Sequence, residues 1–140
     1  MKNRQEKMYE MESLLRIVFR QLRQELNEVF DKELSRNEFI ILKVLREQGS
    51  KKASDLSRIL DVSASHITVV TDSLIEKTWI RRVRSTQDRR IVDIHLTDLG
   101  EKVLFTIEKR KTEYLAERFN CYTDEELTMF IELFKKLDLS

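Results

Sequence analysis

The chain has 140 residues with 26 basic and 25 acidic side chains, no proline, two glycines and one cysteine, which is room for one domain with its own core. So little proline and glycine excludes collagen-like and Pro/Gly-rich disordered chains and argues against a turn-rich β-sandwich, leaving a mainly helical domain. A formal net charge of +1 excludes a broadly polycationic nucleic-acid coat or membrane-surface protein, so any nucleic-acid role has to come from local clustering.

The first 34 residues open with an amphipathic stripe. Met8, Met11, Leu15, Val18, Leu22, Leu26 and Val29 recur at helical spacing, and Leu14 and Phe19 widen the apolar face. The pattern predicts a helix of about five or six turns, which a short domain has trouble covering alone. Ser35 with Glu38 is a capping box. It starts a second helix through Phe39, Ile40, Leu42, Val44 and Leu45 that Gly49 stops. A short third helix is expected over residues 54–60. Asp61 and Val62 then form a tight link into Ser63, the N-cap of a fourth helix running to about Lys77.

At Ile80 the period changes from helical to alternating. Ile80 and Val83 alternate with arginines, and Val92, Ile94 and Leu96 alternate with Asp93 and His95. Residues 85–89 join them as a hairpin. Thr97 caps a helix through Val103, Ile107, Tyr114, Leu115 and Phe119. A second capping box, Thr123 with Glu126, starts a last helix presenting Leu127, Phe130, Ile131, Phe134 and Leu137. The expected order is four helices, a hairpin and two helices.

Charge is uneven along this order. Residues 1–34 are neutral, residues 35–100 carry 12 basic and 9 acidic groups, and residues 101–140 carry 7 and 9. Residues 77–90 alone hold six basic groups (Lys77, Arg81, Arg82, Arg84, Arg89 and Arg90) against the single acid Asp88. Arginine forks suit phosphate and narrow minor grooves. On an isolated hairpin such charge could equally be a solvated edge that discourages aggregation. Here it follows a short helix, a tight turn and a helix with a polar N-terminal face, which is the helix-turn-helix arrangement. Ser63, Ser65, His66, Thr68 and Val69 are the side chains expected to approach base edges, while Ile67, Val70 and Leu74 face the core. Helix-turn-helix plus basic hairpin makes a winged helix.

These residues resemble the MarR (multiple antibiotic resistance regulator) family of transcriptional regulators over nearly the whole chain. Residues 55–63 are similar to its third helix and turn, and His66-Ile67-Thr68 with Asp72-Ser73-Leu74 to its recognition helix. Asp88-Arg89-Arg90, followed by Leu96-Thr97-Asp98-Leu99-Gly100, resembles its wing signature and the motif that opens the next helix. The resemblance implies a mainly α fold with a small β-hairpin wing. Its dimerisation helices would occupy residues 1–34 and 98–140, on either side of a winged helix-turn-helix over residues 35–97. It implies a homodimer on double-stranded DNA with a pseudo-palindromic operator, acting as a repressor of its own or nearby genes and relieved by a small-molecule effector. Arg84, Arg89 and Arg90 join the helix residues as DNA-binding candidates. Asp72 and Asp88 are expected to brace the wing, and Phe19, Phe30, Phe39 and Trp79 are the effector-pocket candidates, each weighed against plain core.

Three departures stand out. Val69 occupies a position where many relatives carry a long basic residue, so it would offer only apolar contact, such as to a thymine methyl. Glycines frequent in the family are Asp61 and Thr78 here. Asp tolerates a left-handed turn but β-branched Thr does not, so the recognition helix is expected to close differently. Trp79 is expected to pack between that helix and the wing.

Cys121 reads as an inert, part-buried residue rather than a redox sensor. His66 and His95 lie on different elements without ligand spacing, so no metal or cofactor is expected. No nucleophile–base pair suggests an enzyme. No apolar run approaches the roughly 20 residues of a membrane span, and the N-terminus carries no signal-peptide apolar region. The chain is expected in the cytoplasm, away from membranes. The competing functional class is a helical interaction module whose winged helix no longer reads DNA.

Overall fold

The computed structural model describes residues 1–30 and 34–137. The chain runs α1 (Arg4–Val29), α2 (Arg36–Gln48), β1 (Lys51–Lys52), α3 (Ala53–Leu60), α4 (Ala64–Glu76), β2 (Ile80–Arg84), β3 (Val92–Leu96), α5 (Asp98–Arg118) and α6 (Asp124–Lys135). The mainly helical winged architecture read from the sequence is present, with two additions. Asn3 caps α1 by accepting the Glu6 N–H at 2.8 Å, so the helix starts earlier than its apolar stripe and spans 26 residues. A third strand, β1, pairs antiparallel with β3 (Lys51 opposite Ile94), giving the sheet order β1-β3-β2.

The core is built by the middle of the chain. Ile41 and Leu42 of α2, Leu56 of α3, Ile67 and Leu74 of α4, Ile80 and Ile94 of the sheet and Leu104 of α5 are almost fully buried, each worth about 1.5–3 kcal/mol relative to exposure. Neither α1 nor α6 contributes a buried residue. Instead α1 is tied to α5 through Glu25, which accepts from the Tyr114 hydroxyl and from Arg118 Nε at 3.0 Å. The Tyr114 hydrogen bond, with Arg118 beside it, holds the Glu25 carboxyl below the usual range.

Two helix ends use left-handed residues other than glycine. Asp61 closes α3 at φ 53°, with its N–H on Arg58 O at 3.2 Å and the Val62 N–H on Ser57 O at 3.1 Å. Thr78 takes φ 66° after α4. Its N–H reaches Ile75 O at 2.9 Å and the Trp79 N–H reaches Leu74 O at 3.1 Å. This is the Schellman closure that glycine usually supplies, so the expectation that the helix would close differently is corrected. The reason is external support. Thr97 Oγ1 donates to Thr78 O at 2.7 Å, and the Thr97 N–H donates to Trp79 O at 3.1 Å.

Thr97 also caps α5, accepting from the Gly100 N–H at 3.0 Å. A Cβ at Gly100 would sit 2.1 Å from Trp79 O, so only glycine admits this crossing. Two substitutions should therefore move stability in opposite directions in thermal melts. Thr78→Gly is expected to raise the midpoint, by about 1 kcal/mol of stability, by relieving the left-handed strain. Gly100→Ala is expected to lower stability by about 3 kcal/mol or more, because the obstructing atom is backbone.

Candidate nucleic-acid interface

The outward side of α4 follows from its own periodicity. Ile67, Val70, Thr71 and Leu74 are buried, leaving Ser65, Thr68, Val69 and Asp72 exposed along one stripe. Ser63 Oγ caps the helix through the His66 N–H at 3.1 Å and lies 3.1 Å from Ser65 Oγ. Thr68 Oγ1 donates to Ala64 O at 3.0 Å, so toward a ligand its hydroxyl can only accept. Val69 is 67% exposed at the centre of the stripe. His66 stands on its flank, turned toward α2.

The helix is pinned from behind. Glu38, buried on α2, takes part in the Ser35 capping box, accepts from Lys77 Nζ at 2.8 Å and is met by Ser73 Oγ at 3.4 Å. Lys77 Nζ also lies 4.9 Å from the Trp79 ring centroid. Trp79 thus sits at the exit of α4 toward the wing.

The wing is a braced loop. Arg82, on the same face of β2 as core residue Ile80, reaches across to Asp72 at 2.5 Å. Both ends of that pair are half exposed, so it sets geometry more than stability. Arg84 Nη1 donates to Arg89 O at 2.7 Å, which commits it to holding the loop. Asp88 accepts from Arg90 three times: from the backbone N–H at 3.0 Å, from Nε at 3.1 Å and from Nη2 at 3.2 Å. These bonds, the guanidinium first, hold the Asp88 carboxyl below the ordinary range. A depressed carboxylate keeps its contribution above its unfolded value and loses it only as pH falls through the folded one, so the brace is complete at neutral pH. Among the described residues none pairs with the Arg89 guanidinium.

The effector-pocket candidates are divided. Phe30 and Trp79 line a cavity of about 270 Å³ with Lys102, Val103, Thr106 and Arg110. Phe39 instead is buried core, its ring 5.0 Å from that of Phe30. Phe19 lies elsewhere, in an apolar groove of about 1030 Å³ between α1, α5 and α6. The four do not share one site, because Phe19 lies exposed within α1 while Phe30, the residue that caps its end, is buried in the core. The basic pair Lys102 and Arg110 was missed, although the spacing of 102, 103, 106, 107 and 110 marks one helical face. Cys121 is exposed in the turn between α5 and α6, which corrects the part-buried expectation: the chain's aromatics there, Phe119, Tyr122 and Phe130, pack on one another instead.

The wing analysis yields a direct test. Asp88→Asn should speed hydrogen exchange of the amides of residues 85–91 while leaving the core amides and the melting midpoint within about 0.5 kcal/mol of wild type.

A sequence profile of the MarR family matches residues 34–92. The HTH-type transcriptional regulator YpoP of Bacillus subtilis (strain 168) is 62% identical over 99% of this chain and 98% of its own length. The HTH-type transcriptional repressor MdtR of the same organism is 27% identical over 98% and 89%. Among solved structures, the YusO protein from Bacillus subtilis superposes with a TM-score of 0.87 at 26% identity over 99% of both chains. A MarR family protein from Bacillus stearothermophilus superposes at 0.78 with 28% identity, over 99% and 96%. The chain belongs to the MarR family of DNA-binding, helix-turn-helix transcriptional regulators, which sets aside both the interaction-module alternative and an enzymatic role.

Proposed function

We propose that the chain acts in the cytoplasm as a homodimeric repressor that reads a pseudo-palindromic operator in its own or a nearby promoter. The observation that carries the DNA-reading geometry is the pairing of an exposed short-side-chain stripe on α4 with a wing whose tip is braced from within. In this reading Ser65, Thr68 and Val69 meet base edges in the major groove, and Ser63 and His66 work beside them. Arg89, with no partner for its guanidinium among the described residues, enters the adjacent minor groove. Arg84 and Arg90, with Asp88, hold the loop that presents it, and Asp72 fixes the wing's angle through Arg82.

Dimerisation is supported by the groove between α1, α5 and α6, lined by Met11, Leu15, Val18, Phe130 and Phe134 among others. So large an exposed apolar surface needs cover. The proposed division is dimerisation helices over residues 1–34 and 98–140 around a DNA-binding region over 35–97. Relief by a small molecule is supported by the cavity beside Trp79. Its Lys102 and Arg110 favour an anionic effector, and its Trp79 ring is in touch with Lys77 at the end of α4.

Two measurements test this reading. In fluorescence anisotropy across a salt series, the protein is expected to prefer a duplex from its own upstream region over a scrambled control. Its affinity should fall by orders of magnitude between about 50 and 200 mM salt. Arg89→Ala should reduce the salt slope by about one unit, whereas Arg90→Ala should weaken binding through a loosened wing; equal behaviour of the two variants would overturn that assignment.

Sedimentation should give twice the 16.8 kDa chain mass. Phe130→Glu should reduce it to the single chain and abolish operator preference, and a wild-type monomer at micromolar concentration would refute the dimer.

A further inference from the structure

One side chain in the first turn of α4 is positioned from outside its own helix. The His66 ring reaches back to α2, where its Nε2 lies 3.1 Å from Asn37 Nδ2. Asn37 is the second residue of α2, next to the capping-box acid Glu38. An amide NH₂ group carries two hydrogens and no free lone pair, so Asn37 donates and His66 Nε2 accepts. A neutral imidazole with a bare Nε2 carries its one proton on Nδ1. His66 is then a donor. The DNA atoms it can address are acceptors, such as guanine N7 and O6, adenine N7 or a phosphate oxygen, and not the amino groups of adenine or cytosine.

We propose that Asn37 is a specificity-determining positioning residue: from α2 it fixes the tautomer and orientation of the His66 ring, so that His66 selects a hydrogen-bond acceptor in the half-site. This rests on the DNA reading given above. Two observations separate it from a merely structural contact. His66 is exposed and Asn37 half-buried, so water can satisfy both groups and their bond adds little to stability. His66 also shares its helical stripe with Ser73 and Lys77, the two α4 residues that meet Glu38, rather than with the outward stripe of Ser65, Thr68 and Val69. A ring on that flank gains a defined direction only from α2, and holding it there removes the ordering cost before DNA arrives.

The test uses the full chain. Wild type, Asn37→Ala, His66→Ala and the double variant each select duplexes from a randomised pool, and long-range ¹H–¹⁵N spectra of the imidazole read the protonation of each ring nitrogen. Wild type is expected to show a protonated Nδ1 and a bare Nε2. Both single variants should lose preference at the same base pair, by about tenfold, with other positions retained. The double variant should match His66→Ala alone. Asn37→Asp, which can only accept, should move the proton to Nε2, and this holds as a second readout if Asn37→Ala folds poorly.

A protonated Nε2 in wild type, losses that add in the double variant, an unchanged selection profile for Asn37→Ala, or a bare Nε2 in Asn37→Asp would each overturn the proposal. If wild type enriches no sequence, the DNA reading fails and this inference with it. If wild type enriches a site that Asn37→Ala reads equally well, this inference alone falls.

Discussion

The geometry of the side formed by α4 and the wing depends on one close backbone crossing, where Trp79 O lies against Gly100 and accepts the Thr97 N–H. Four elements meet there within a few residues: the end of α4, the start of β2, the end of β3 and the start of α5. The angle between α4 and the wing therefore rests on backbone hydrogen bonds with fixed directions, to which the Asp72–Arg82 side-chain pair adds a second tie. Thr78 is the cost of that arrangement. A β-branched residue in the left-handed region costs about 1–2 kcal/mol, offset by the Schellman bonds of its own turn and by the Thr97 hydroxyl on its carbonyl. The resemblance motif Leu96-Thr97-Asp98-Leu99-Gly100 acquires a physical reading here. Its threonine caps α5 and staples two neighbouring peptides, and its glycine makes room for the staple.

A second anchor acts on the same helix from α2. The buried Glu38 carboxylate gathers Lys77 Nζ, Ser73 Oγ and the Ser35 N–H, so its charge is matched and its lone pairs are used. Removing Lys77 would leave the buried Glu38 carboxylate short of its counter-charge, whereas Lys77, 28% exposed, can turn to water. Glu38 thus ties the C-terminal half of α4 to α2, while at the other end Asn37 meets only the ring of His66. Preorganisation of this kind matters for a chain whose net charge is only +1. Without a broad positive field, phosphate contacts have to come from a few well-placed groups.

The sequence disclosed most where the determinant is local. Ser35 with Glu38 and Thr123 with Glu126 marked two helix starts within four residues each, and both are complete capping boxes. The change of period at Ile80 marked β2 and β3. The Asp88–Arg90 brace was legible because its partners are two residues apart. What stayed hidden is non-local or too short to show a period. β1 is two lysines, paired only because β3 passes beside it. Asn3 precedes the first apolar residue of the stripe, so hydrophobic spacing could not locate it. The Asn37–His66 contact joins two different elements, whereas the bracing role of Asp72 was legible and only its partner, Arg82, was not. Thr78 was misread because propensity alone opposes a left-handed threonine, while the force that overrides it comes from Thr97, nineteen residues away.

The distribution of burial links the two halves of the molecule. The core stops at Ile107 on α5, and beyond it the helix continues to Arg118 with its apolar residues turned to the groove shared with α1 and α6. One continuous helix of 21 residues thus begins at the Gly100 crossing and ends in the proposed dimer interface, about 30 Å away by its rise. In the proposed dimer, a stiff rod with one end fixed to the wing and the other to the partner would set the distance between the two copies of α4. The cavity beside Trp79 lies on that rod, lined from Lys102 to Arg110. A molecule lodged there touches both the rod and, through Trp79 and Lys77, the end of α4. In the proposed function such a molecule would have leverage on half-site spacing without reaching the DNA surface, because a small change in angle at Gly100 is carried along the full length of α5.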